Sequence, residues 1–283
     1  MSSPHLSFEF FPPKTTAGIN ALLQTAGMLT AINPSYFSVT FGAAGSAQTH
    51  TPDTVFKIKK HTRIQTAPHI SCVAAEKENI KNLLDRYIQK DISRLVVLRG
   101  DAPANTTIPS THFQHASELV QFIREQTGNH FHIDVACYPE FHPQTTDVKR
   151  ALFHLKEKMD AGANSMITQY FYNPDAYFRF RDDCEKFHIT APITPGIMPI
   201  IHYEKLVSFS NACGAEIPRW LKFRLENYKN DIISLHTFCD DVLTDLCEKL
   251  LSGGASGLHF YTLNKSEYCL NILKNLKINP VFA

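Results

Sequence analysis

The chain has 283 residues, 43% hydrophobic and 19% charged, and its 28 Lys plus Arg nearly cancel 27 Asp plus Glu. Such a composition supplies a large core and argues against disorder, while a formal charge of +1 leaves no basic surplus to recruit nucleic acid or an anionic membrane. The seven cysteines are scattered and never form C-x-x-C, so reduced thiols in a cytoplasm are expected rather than a disulfide framework or a thiolate metal cradle. No basic segment followed by an apolar core opens the chain, and no apolar run approaches the roughly 18 residues of a membrane span.

Taken in chain order, short apolar, β-branched or aromatic runs predict strands at Ser7 to Phe11, Tyr36 to Phe41, Thr66 to Val73, Arg94 to Arg99, Ile133 to Tyr138, Ser165 to Phe171, Ile193 to Met198 and Leu258 to Leu263. Segments with helical spacing alternate with them. Lys77 to Lys90 places Ile80, Leu83, Leu84, Tyr87 and Ile88 on one stripe, and Asp147 to Asp160 repeats the pattern with Val148, Leu152, Leu155 and Met159 before stopping at Ala161 and Gly162. Tyr203 to Gly254 is too long for one helix and predicts two or three, with Pro218 opening one and Gly253 and Gly254 closing the last. Eight strands with helices between them and no linker predict a single (β/α)8 TIM barrel over residues 1–283, with extra helices before the last strand. A doubly wound sheet is the alternative.

Barrel active sites lie at the C-terminal ends of the strands. The polar residues there are Glu9, Thr40, His69, Arg99-Gly100-Asp101, Tyr138-Pro139-Glu140-x-His142, Gln169, and Tyr261 with Asn264 and Lys265. Glu9 stands among Phe8, Phe10 and Phe11. Enclosure by aromatics would raise its pKa and suit it to general acid catalysis, although a buried partner cation would explain the same residue. His69 and His142 with Glu140 or Asp101 could instead ligate a metal in a hydrolase. His130-x-His132 enters its strand at the structural face and is read as a bystander. Tyr170, Phe171 and Tyr172 are read as packing. No G-x-G-x-x-G follows a strand, and neither a P-loop nor a G-x-S-x-G elbow is present.

Residue chemistry alone names no substrate, but nine ordered motifs do resemble a known family. They are Ser7-Phe8-Glu9-Phe10-Phe11-Pro12-Pro13-Lys14, Ser38-Val39-Thr40-Phe41-Gly42-Ala43, Pro68-His69-Ile70-Ser71-Cys72, Leu98-Arg99-Gly100-Asp101, Tyr138-Pro139-Glu140-x-His142-Pro143, Lys158-x-Asp160-Ala161-Gly162-Ala163-Asn164, Ile167-Thr168-Gln169, Pro195-Gly196-Ile197-Met198-Pro199 and His259-Phe260-Tyr261-Thr262-Leu263-Asn264. In this order, from about Ser7 to about Leu276, the chain resembles the methylenetetrahydrofolate reductases of the bacterial, flavin-dependent type.

The resemblance implies a barrel that holds FAD without a Rossmann fold. It implies that NADH or NADPH reduces the flavin, and that 5,10-methylenetetrahydrofolate is then converted to 5-methyltetrahydrofolate in a ping-pong sequence that supplies methionine synthesis. Glu9 matches the acid that protonates the folate, and Asp101 matches an aspartate near flavin and pterin. Thr40, His69, Arg99, Gly100, Asp101, Ala116, Tyr138, His142 and Lys158 match flavin contacts. Gln169, Lys205, Phe209 and Lys265 match folate-binding positions, Phe209 as a mobile aromatic on the substrate.

The resemblance also makes Ala163 a packing position whose enlargement should loosen flavin retention. Lys265 replaces an Arg common in relatives, Lys205 stands where Gln can occur, Ala102 stands where Pro is common, and Glu157 reduces the positive charge beside Lys158. The resemblance further implies a homo-oligomer and no metal, and the length predicts no appended regulatory domain. A metal-dependent hydrolase and a silent flavin- or folate-binding module are the competing readings.

Overall fold

The computed structural model describes residues 4–41, 50–72, 76–100, 113–143, 145 and 147–278. The elements run β1 (His5–Phe10), α1 (Thr16–Thr30), β2 (Tyr36–Val39), α2 (His50–Thr62), β3 (Thr66–Ser71), α3 (Lys77–Gln89), β4 (Arg94–Leu98), α4 (Ala116–Thr127), β5 (His132–Cys137), α5 (Val148–Asp160), β6 (Ser165–Thr168), α6 (Pro174–Lys186), β7 (Ile193–Thr194), β8 (Gly196–Ile197), α7 (Tyr203–Cys213), α8 (Arg219–Tyr228), α9 (Ile232–Ser252), β9 (Gly257–Tyr261) and α10 (Glu267–Asn275). All pairings are parallel, in the order β7-β6-β5-β4-β3-β2-β1-β9-β8.

The fold is a (β/α)8 barrel whose seventh stave is broken. The run read as one strand from Ile193 to Met198 is two short strands, because Pro195 has no N–H for the ladder. Ile193–Thr194 pairs with β6 and Gly196–Ile197 with β9, while the Pro195 carbonyl accepts from the His259 N–H at 3.0 Å, so the break itself closes the barrel. The other predicted strands are found at their places but end sooner: β2 stops at Val39 and β6 at Thr168. The extra helices before the last strand number three, with Pro218 capping α8 and Gly253 capping α9.

Strand alternation sorts the core into two layers. Phe8, Phe10, Phe37 and Phe260 point outward, where Phe8 stacks on Phe260 at 5.5 Å and Phe10 meets Phe37 edge-on at 5.4 Å beneath the helices. The opposite faces line the barrel interior, where Tyr36, Ala67, Val96 and Ile167 form a separate apolar cluster. Below it Asp134 is 1% exposed, accepts two hydrogen bonds from the Arg94 guanidinium at 2.6 and 2.9 Å, and accepts another from Ser165. The His132 ring shares a hydrogen bond with Ser165 Oγ, and His130 donates to the Ile92 carbonyl, so both histidines belong to this structural end as expected.

Gly196 is a point of close backbone approach. A Cβ there would collide with the Thr168 carbonyl oxygen and lie 2.6 Å from the Tyr261 ring. Gly196→Ala is expected to cost about 3 kcal/mol, read from the urea midpoint, because both obstacles belong to neighbouring barrel strands that cannot move apart without breaking the closure. A loss below ~1 kcal/mol would show that the seam yields easily.

Candidate active site

At the C-terminal end of the strands the interior opens into a cavity of about 820 Å3, within the range of cofactor and ligand sites. Its floor is built by three strands. The parallel register sets Glu9 beside Tyr261 and Ser7 beside His259, while β3 brings His69 across from the other side. His69 Nε2 lies 3.3 Å and His259 Nε2 3.4 Å from the same Glu9 carboxylate oxygen, Oε2. His259 is fully buried and its Nδ1 shares a 2.7 Å hydrogen bond with Ser7 Oγ, so a Ser7–His259–Glu9 chain runs along the inner face of β1 and β9. The His69 Nε2 is buried without a hydrogen bond to the protein, close to the carboxylate but not aimed at it.

This geometry corrects two expectations about Glu9. The aromatics that flank it in sequence alternate to the far side of the strand, so its neighbours are imidazoles and not Phe rings. Its pKa is lowered, not raised: burial is the largest single influence and pushes it up, but the charge of His69 and of His259, with the hydrogen bond from His259, together outweigh burial and hold it at about 2. The carboxyl is therefore ionised in the open cavity at neutral pH.

Thr40, His69, Arg99, Gly100, Ala116, Tyr138, His142, Lys158, Gln169 and Phe209 all join Glu9 in lining the cavity. Gly100 holds φ +82, so the turn after β4 follows a path suited to glycine. Lys158 reaches from α5 to donate to the Ala136 carbonyl at 2.6 Å, and burial pulls its pKa down to about 8. Gln169 accepts from the Tyr170 N–H at 3.0 Å. The Tyr138 and His142 rings meet edge-on at 5.0 Å. Phe209 is 48% exposed on α7 although Leu206 on the same helix is buried, so the aromatic is a cavity wall and not core.

Two predicted positions are not brought to the cavity wall. Lys205 is exposed on α7, and Lys265 is exposed with its ammonium 5.6 Å over the Tyr268 ring. Asp101, like Gly42, Ala43 and Ala102, lies outside the described residues. Asn264 proves to be a clamp: it accepts from the Phe11 N–H and donates to the Phe11 carbonyl at 3.0 and 2.9 Å, tying the ends of β1 and β9.

Ser7 and His259 were not among the strand-end candidates because each sits one inward position deeper than Glu9 or Tyr261. Period-2 counting back from those residues would have found both. Among the described residues, no His, Cys, Asp and Glu side chains are grouped to hold a metal ion. The two imidazoles beside Glu9 converge on one carboxylate oxygen, which is ion-pair geometry. Burial pushes the thiols of Cys72, Cys184 and Cys239 up to about 12, which keeps them unreactive.

A parallel barrel with a carboxylate and two imidazoles at the floor of a large cavity has the architecture of a barrel protein with a titratable site at its first strand. The family model for methylenetetrahydrofolate reductase matches residues 1–277, and the chain belongs to that family. The 5,10-methylenetetrahydrofolate reductase of Buchnera aphidicola subsp. Acyrthosiphon pisum is 38% identical over 266 residues, covering 94% of this chain and 89% of that one. The enzyme of the same name from Escherichia coli is 33% identical over 276 residues, covering 98% and 92%. A rice relative, 35% identical over 95% of this chain and 48% of its own length, carries NADH in its name.

Among solved structures, an uncharacterized Clostridium thermocellum protein that binds two copies of 5-methyl-5,6,7,8-tetrahydrofolic acid aligns with a TM-score of 0.65 at 20% identity, covering 98% and 95% of the two chains. An oxaloacetate acetylhydrolase in complex with oxalate aligns at 0.55 and 10%, covering 97% and 81%. At these identities the structural matches speak for the fold. The family relationship supports methylenetetrahydrofolate reduction as the reaction.

Proposed function

We propose that the protein is an FAD-dependent, NADH- or NADPH-oxidising reductase that converts 5,10-methylenetetrahydrofolate to 5-methyltetrahydrofolate. The observation that carries this reading is the Glu9–His69–His259 cluster at the floor of a cavity whose walls present Lys158, Arg99, Tyr138 and Phe209. The fit to FAD is chemical. The volume is ample, the Lys158 ammonium and the Arg99 guanidinium suit an anionic cofactor, and the buried Nε2 of His69 has hydrogen-bonding capacity the protein leaves unused. Thr40, His69, Arg99, Gly100, Asp101, Ala116, Tyr138, His142 and Lys158 would hold it. FAD supplies a two-electron carrier able to pass reducing equivalents from a nicotinamide to the folate methylene group.

Glu9 moves the proton. In the open cavity it is a carboxylate beside two imidazoles and takes up its proton from water there, while His259, with Nε2 toward Glu9 and Nδ1 held by Ser7, fixes the carboxylate in place. When substrate displaces water, burial weighs more heavily on Glu9 and favours the neutral carboxyl, which then donates to the folate ring nitrogen. Asp101 is proposed to stabilise the cation so formed, and Gln169 to hold the pterin. Phe209 closes over the ring system. Lys205 and Lys265, exposed outside the cavity wall, suit the glutamate end of the substrate. Because one cavity receives both substrates, they are expected to bind in turn.

The product would feed methyl transfer to homocysteine in methionine synthesis. The seven free cysteines suit a cytoplasmic location, and among the described residues no helix is long and apolar enough to cross a membrane. We propose one catalytic domain over residues 1–283 acting as a homo-oligomer, with no nucleic acid partner. The purified protein, or the protein after FAD addition and gel filtration, is expected to show a bound-flavin absorption band. A protein that stays colourless after FAD is added contradicts the reading.

A further inference from the structure

Glu140 lies in the turn after β5, between Tyr138 and His142, where Phe141 adopts φ +65 and its N–H returns to the Tyr138 carbonyl at 3.1 Å. Its side chain leaves this loop and crosses to the segment that follows α7. There Oε2 accepts a hydrogen bond from the Glu216 N–H at 2.8 Å, while Oε1 is buried without a hydrogen-bond partner. The same two segments meet again at Gly214, the left-handed cap of α7 at φ +77, where a Cβ would come 2.8 Å from Pro143. A cavity of only about 10 Å3 separates them. This seam joins the wall carrying Tyr138 and His142 to the wall carrying Phe209.

The helix just before that clasp is held by few other groups. Of α7, Leu206 and Ser210 are buried and Tyr203 and Cys213 pack on the core, Ser210 pairs with the Tyr170 hydroxyl at 3.0 Å, Cys213 donates to the same hydroxyl at 3.4 Å, and the Tyr203 hydroxyl donates to Glu226 at 2.6 Å. An element with so few buried contacts sits at the low-stability end of a fold and takes its position from the few bonds that tie it down. A shift of one helical wall by a fraction of an ångström would move Phe209 relative to a bound ring system.

We propose that Glu140 is a positioning residue: by holding the Glu216 amide it sets the place of α7, and through α7 the place of Phe209 against the folate. The inference rests on the folate reading above. What the clasp requires is an acceptor oxygen at the right reach, not a negative charge. Burial, the largest influence on the Glu140 carboxyl, pushes its pKa up, consistent with a site that gains little from ionisation.

The test uses the FAD-loaded protein and 5-methyltetrahydrofolate as the titrated probe, with hydrogen exchange of the 209–217 segment followed in parallel. Glu140→Ala removes the acceptor, Glu140→Asp keeps the charge but shortens the reach, and Glu140→Gln keeps an acceptor oxygen at the same reach. Glu140→Ala and Glu140→Asp are expected to bind the probe about tenfold more weakly, the worth of one hydrogen bond to a well-placed acceptor, with faster exchange in 209–217. Turnover at saturating folate should stay within about threefold of wild type, and Glu140→Gln should stay within about twofold in binding.

Wild-type binding and exchange in Glu140→Ala, or a Glu140→Gln variant as weak as Glu140→Ala, would overturn the inference. If Glu140→Ala does not fold, the contrast between Asp and Gln at this position decides alone. A wild-type protein that binds FAD but no 5-methyltetrahydrofolate would defeat the folate reading, and the exchange measurements would still test the clasp.

Discussion

Glu9→Gln is expected to separate the two halves of the reaction. Reduction of the bound flavin by the nicotinamide should remain within about threefold of wild type, whereas reduction of methylenetetrahydrofolate should fall by about 10³-fold or more, the range for losing a positioned general acid. The amide keeps the shape of the side chain but cannot take up a proton and pass it on. The depressed pKa adds a second signature. A group held at about 2 against an ordinary value of 4.5 stabilises the folded state above pH 4.5 and loses that contribution as the pH falls toward 2. The stability of wild type should therefore drop more steeply than that of Glu9→Gln over that window. Equal loss of both half-reactions, at any pH, would show that Glu9 serves binding and not proton transfer.

The largest effect on stability is expected at the other end of the barrel. Asp134 is 1% exposed and its two oxygens take both arms of the Arg94 guanidinium. Its pKa is lowered to about 2: burial pushes it up, but nearby His132, the charge of Arg94 and hydrogen bonds from Arg94 and Ser165 prevail. Asp134→Ala leaves that cation and the Ser165 hydroxyl without their acceptor, which should cost about 3 to 5 kcal/mol at neutral pH. Since the group is depressed from 3.8 to about 2, the gap between variant and wild type should narrow as the pH falls through that interval. The double substitution Asp134→Leu with Arg94→Met should recover most of the loss, because a matched apolar pair does not strand a charge. A single variant within ~1 kcal/mol of wild type would mean that water reaches Arg94 in its place.

The barrel could be read from the sequence because each stave is a short apolar run bounded by polar or glycine residues, and because the helices carry their stripes and caps openly. Asp147 caps α5 by accepting from the Lys149 N–H, and Asn173 caps α6 ahead of Pro174. Ile193 to Met198 is the exception: its apolar run looks like one strand, but the missing N–H of Pro195 splits it into two. The strand ends were overextended for a different reason: Phe41, Tyr170 and Phe171 are as apolar as strand residues but turn away into the loops that shape the cavity.

Most residues of the site were legible because they stand at strand ends, but their electrostatics were not. The pKa of Glu9 depends on His69 and on His259, the latter 250 residues away, and only barrel closure in the correct register brings that pair together. The sequence neighbours Phe8 and Phe10 predict a shift of the opposite sign, because strand alternation turns them to the outer face. Glu140 likewise reads in sequence as a possible metal ligand, whereas its partner in the fold is the amide of Glu216, 76 residues away.

One cavity is proposed to carry reducing equivalents from a nicotinamide to the folate through bound FAD. An anaerobic titration in two stages tests this most directly. NADH or NADPH alone should bleach the flavin absorbance, and 5,10-methylenetetrahydrofolate added afterwards should restore it, with 5-methyltetrahydrofolate formed in proportion to the flavin recoloured. A flavin that the nicotinamide bleaches but the folate cannot recolour, or one that neither touches, would contradict the account.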